Sequence, residues 1–173
     1  EERFLMEALS SRPVNVVRVE FDELYARHLC RHSQFGVNLL HLVALFFVWF
    51  GVYGAVYWLL RTPWAPIGMA AAYLLAVAPN LPPRVILAVA GFLALFLLAL
   101  LELPLLPVWA YLALIPIFYV FQNWSHRVYH LERDMTVFRQ KYTKGPVLFV
   151  ILLFYEVPLL LNFLLWGRRD WTA

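Results

Sequence analysis

Five histidines stand out in a chain with few polar groups: His28, His32, His41, His126 and His130. Two pairs, His28/His32 and His126/His130, have i, i+4 spacing, which stacks the side chains on one helix face. Two imidazoles so placed can share one metal ion. Gln122 extends the second pair one turn further, and Asn38 lies three residues before His41. Either amide can orient an imidazole through its second nitrogen. A donor set rich in imidazole suits iron, zinc, copper or nickel rather than magnesium or calcium. The single cysteine, Cys30, excludes an internal disulfide and a cysteine-rich zinc site.

The elements that must position these residues are apolar helices. Hydrophobic residues make up 63% of the 173 and charged residues 14%, against roughly 25% charged in a soluble domain. One core cannot bury so much apolar surface. The expected fold is therefore all-α, a polytopic membrane helical bundle of about five transmembrane helices in a single domain. The spans fall near Val37–Leu60, Trp64–Ala78, Arg84–Leu103, Pro107–His130 and Pro146–Trp166. The second is short and closes at the Pro79–Pro83 breaker, which leaves open a hairpin that does not cross fully. Residues 1–35 form an N-terminal segment carrying an amphipathic helix over 20–33. A second interfacial helix is expected over 131–142, inside the 36–166 bundle. No internal repeat and no cleavable leader pattern are visible.

Basic residues set the expected orientation. Five crossings with the N-terminus cytoplasmic gather nearly all of them inside and leave Arg61, Arg168 and Arg169 outside. On that topology all five histidines fall on the cytoplasmic side, although histidine played no part in deriving it. Trp58, Trp64, Trp109 and Trp166 would ring the outer interface and Trp124 the inner one. The small net charge of +3, clustered beside spans, reads as topology and lipid contact, with no nucleic-acid partner.

Two windows resemble the iron-dependent 2-hydroxy fatty acid dioxygenases of fatty acid α-oxidation. One contains His32, Asn38 and His41, and the other is Phe121-Gln122-Asn123-Trp124-Ser125-His126-Arg127-Val128-Tyr129. The resemblance implies an integral membrane enzyme of the bacterial inner membrane or endoplasmic reticulum. It would use Fe(II), with O2 as co-substrate, to shorten a 2-hydroxy fatty acid by one carbon. It implies His32, His41 and His126 as catalytic metal ligands, supported by Asn38 and Gln122. His28 is extra to the family pattern, and His130 stands near the place of an acidic residue; both remain candidate ligands. Arg127, Arg133 or Arg31 would clamp the substrate carboxylate at the interface. Glu156, about 15 Å along its span at 1.5 Å per residue, is expected to lie too deep to meet the histidines. Tyr25 and Tyr129 are candidate hydrogen-bond donors beside them.

Other readings stay open on the residues alone. One is a different metal- or haem-dependent lipid-modifying enzyme, with His41 and His126 as axial haem ligands. Another is a non-catalytic lipid-binding protein whose histidines sit at the interface through their apolar bodies and polar tips. A homo-oligomer is compatible with all of these.

Overall fold

Proline and apolar length set the elements. The computed structural model describes residues 19–29, 32–129 and 146–167, without the side chains of 146–149. Among them every regular element is helical: α1 Phe21–Leu29, α2 Phe35–Leu60, α3 Trp64–Val77, α4 Pro83–Glu102, α5 Val108–Val128 and α6 Pro146–Trp166. A 3-10 turn over Ala78–Asn80 joins α3 to α4. The 131–142 interfacial helix lies outside the described residues. α2 and α4 are long and apolar enough to cross a membrane. α3 has only 14 residues, and the last turns of α5 carry Gln122, Asn123, Ser125, His126 and Arg127.

α2 stops at Arg61, which takes the left-handed conformation at φ 54° and donates its N–H to the Tyr57 carbonyl. Thr62-Pro63 then prevents continuation. The Arg61 guanidinium lies 4.4 Å from the centre of the Trp58 ring, a cation–π contact at the helix end.

α2 and α5 form the main packing pair, and small residues let them approach. A Cβ on Gly54 would meet the Tyr111 ring at 2.2 Å, and one on Gly51 would meet the Tyr111 carbonyl at 2.5 Å. Phe47 stacks on Phe118 at 4.3 Å. The antiparallel register that pairs Gly54 with Tyr111 and Phe47 with Phe118 places His41 opposite the turn between Gln122 and His126. Trp49, Tyr53 and Phe96 pack edge to face on the other side of α2, tying α4 to it.

The last helix departs from the expected topology. Five alternating crossings would separate Trp166 from Arg84 by the hydrocarbon thickness, about 30 Å. Instead the Arg84 guanidinium lies 5.2 Å from the Trp166 ring centre. The other partners of α6 lie at the same end. Asn80, in the α3–α4 turn, donates to the Tyr155 hydroxyl at 2.8 Å. Asn162 hydrogen-bonds Tyr25 of α1, whose phenol burial pushes above its usual range although the Arg84 charge and this bond pull it down. Residues 157–163 are buried without a break, so protein rather than lipid surrounds this stretch. The expected fifth crossing, with Trp166 in the outer belt, is not confirmed: α6 packs against the end of the bundle that holds α1. Hydropathy does not decide between the two, because a long apolar helix satisfies it equally by crossing lipid or by being enclosed in protein.

Pro158 shows how this helix is held. Lacking an N–H, it leaves the Phe154 carbonyl without its intrahelical donor. Tyr73 of α3 supplies one, its hydroxyl donating to that carbonyl at 3.0 Å.

Candidate metal centre

The His32 N–H reaches the His28 carbonyl at 2.9 Å. The two imidazoles therefore stack, with centroids 4.4 Å apart. Asn38, fully buried on the first turn of α2, fixes this segment. Its Nδ2 donates to the carbonyls of His32 and Gln34 at 2.8 and 2.7 Å. Its Oδ1 lies 2.7 Å from His28 Nε2. Asn38 thus supports His28 and the turn bearing His32, rather than His41 as its sequence position suggests.

Three histidines from separate segments converge. The ring centroids of His32, His41 and His126 lie 4.5 to 5.1 Å apart. One ligand nitrogen from each lies within 4.8 Å of the other two. Nitrogens on opposite sides of one ion stand at most about 4.2 Å apart at bond lengths of about 2.1 Å, so small side-chain rotations suffice for coordination. His41 and His126 meet edge to face at 4.6 Å. His28 stands beside this group with Nε2 engaged by Asn38. His130, Arg31 and Arg133 lie outside the described residues.

Glu156 overturns its expected depth. Its Oε1 lies 3.2 Å from His41 Nδ1 and accepts from Gln122 Nε2 at 3.0 Å. Counting residues from Pro146 assumed that every helix starts at one level; with α6 laid across the end of the bundle, that assumption fails. A carboxylate only accepts, so the consistent assignment puts the His41 proton on Nδ1 and turns the Nε2 lone pair inward. Nε2 is buried and makes no hydrogen bond among the described residues. Gln122, one turn before His126 on α5, is held to the same Glu156 oxygen that faces His41, so the carboxylate joins α5 to the backing of His41.

These observations fit a metal. The donors are three imidazoles, one nitrogen is inward-facing and unsatisfied, and a carboxylate backs its ring as in carboxylate–histidine–metal arrangements. A cavity of about 510 Å³ adjoins the group, lined by Arg27 and His28 at one end and by apolar residues of α2, α5 and α6 at the other. Arg27 is buried and paired with Glu23 one turn earlier on α1. Sequence reasoning counted it only toward topology, since i, i+4 pairing with Glu23 is also the pattern of a solvated helix face. Arg127 is exposed and does not line the cavity; nor do Tyr25 and Tyr129, the latter packing its hydroxyl against Gly36.

No family model, curated protein or solved structure matches the chain.

Proposed function

We propose that the chain is an Fe(II)-dependent membrane dioxygenase that shortens 2-hydroxy fatty acids by one carbon, using O2 as co-substrate. The convergence of His32, His41 and His126, with Glu156 behind His41, is the observation that carries this reading. The two windows that resemble the dioxygenase family hold all three histidines, together with Asn38 and Gln122. Iron held by neutral imidazoles with open positions supplies the electron chemistry that O2 requires. The chain itself does the rest. Glu156 keeps the proton on His41 Nδ1, Asn38 sets the His32 turn, and the apolar cavity excludes water from the reacting carbon. Burying imidazoles and a carboxylate in an otherwise apolar bundle is costly, which favours a functional reason for them.

In the bilayer, α2 to α5 cross and α6 lies at the cytoplasmic end with α1. Among the described residues Arg61 is then the basic side chain at the outer end, in keeping with a positive-inside bias.

Metal analysis of purified wild type beside His41→Ala and His126→Ala tests the reading. The expected result is about one iron per chain, since three protein ligands define one site, lost in both variants, with O2 uptake on adding a 2-hydroxy fatty acid. Zinc in iron's place would redirect the assignment to hydrolytic chemistry. No metal after anaerobic Fe(II) loading would overturn it.

A further inference from the structure

Gln122 has half of its amide committed and half to spare. Its Nε2 donates to Glu156 Oε1 at 3.0 Å. A carboxylate only accepts hydrogen bonds, so the amide cannot be turned over: the nitrogen faces Glu156 and Oε1 faces away from it. Oε1 itself makes no hydrogen bond with any described residue. Nor is it sealed inside the protein, as the unpaired His41 Nε2 is. Gln122 lines the cavity beside the three histidines.

The surroundings make that oxygen a selective group. The cavity is walled there by Leu45, Ile115, Pro116, Leu152 and Leu159, none of which carries a side-chain donor. An acceptor in such a wall gains from a ligand that brings a hydrogen-bond donor. It loses from one that brings nothing, or a second acceptor. Gln122 stands one turn before His126, and its amide adjoins the carboxylate behind His41. The donor it meets therefore belongs to the part of a ligand that lies at the histidines, not to an apolar tail.

We propose that Gln122 reads the substrate's 2-hydroxyl group, its Oε1 accepting that hydrogen. The proposal rests on the dioxygenase reading and adds the side chain that tells a 2-hydroxy acid from its unsubstituted and 2-oxo counterparts. Chelation by a metal does not make the second distinction, because hydroxy and oxo acids both offer an ion two oxygens. Gln122 makes both. The hydroxyl donates to Oε1, a methylene leaves Oε1 unpaired, and an oxo group sets one lone pair against another. A site built to bond a hydroxyl rejects the analogue without it because its own polar group is left without a partner.

The test is competition binding on the full-length protein in phosphatidylcholine nanodiscs, loaded with Zn(II) so that nothing is oxidised. Radiolabelled 2-hydroxypalmitate is displaced by unlabelled 2-hydroxypalmitate, palmitate or 2-oxopalmitate. The hydroxy acid should bind about tenfold or more tightly than the oxo acid, the usual weight of one hydrogen bond against an unsatisfied acceptor. Gln122→Met, similar in length but with neither an amide donor nor an amide acceptor, should bring the two affinities together. Loss of the Glu156 contact alone would weaken both ligands alike, so their ratio separates a reading role from a structural one. Where Gln122→Met does not fold, Gln122→Asn, which draws the oxygen back by a methylene, should lower the same ratio. No displaceable binding of 2-hydroxypalmitate, equal binding of hydroxy and oxo acids by the wild type, or an unchanged ratio in the variants would overturn the proposal. Iron-dependent turnover without the hydroxy preference would sink the role of Gln122 and leave the dioxygenase; the preference in a protein that takes up neither iron nor O2 would do the reverse.

Discussion

At the scale of single residues, the centre is a matter of which nitrogen carries a proton. His41 presents Nε2 inward because Nδ1 faces the Glu156 carboxylate at 3.2 Å. Replacing a group in that backing position typically costs about 10–100-fold in metal affinity. Glu156→Leu should therefore weaken iron binding by that order, while Glu156→Gln, which still offers an acceptor, should cost less. Chelator competition measures both, and unchanged affinity in Glu156→Leu would show that the carboxylate does not orient the ring. The histidines were legible from spacing and residue type alone, because few other side chains in an apolar chain can bind a metal. Glu156 was not legible, because its meaning depends on how α6 lies. Arg27 was hidden for a related reason: burial of a helix face follows from what packs on it.

At the scale of elements, α2 and α5 bring His41 and His126 together, and Gly54 sets how closely those helices approach. A methyl group there collides with the Tyr111 ring. Overpacking of this kind costs about 1–3 kcal/mol. Gly54→Ala should lower the thermal midpoint and loosen iron, and Tyr111→Leu in the same chain should recover part of both. Thermal unfolding followed beside metal content checks this, since a merely local defect would lower one without the other. The helices themselves were readable from apolar runs ended by proline: α3 is short because Pro63 and Pro79 bracket it, and α4 begins at Pro83. Their pairing was not readable, because glycines at i, i+3 reveal a close approach without naming the partner.

At the scale of the whole molecule, α6 decides the topology. Trp166 beside Arg84 puts the C-terminal end of the described chain with α1, so tags on the N- and C-termini should both react from one side of sealed vesicles. Reaction from opposite sides would restore a fifth crossing. Composition pointed to a bilayer, but hydropathy alone could not separate a helix enclosed by protein from one that spans lipid. A last consequence concerns folding. His32, His41 and His126 come from the turn after α1, from α2 and from α5, so an ion bound to all three acts as a non-covalent cross-link between distant parts of the chain. It favours the folded form by mass action, adding about 1.4 kcal/mol for each tenfold rise in free metal above the dissociation constant. Iron-loaded protein should resist thermal unfolding and proteolysis more than chelated protein, so metal supply would govern how long the chain survives as well as whether it turns over.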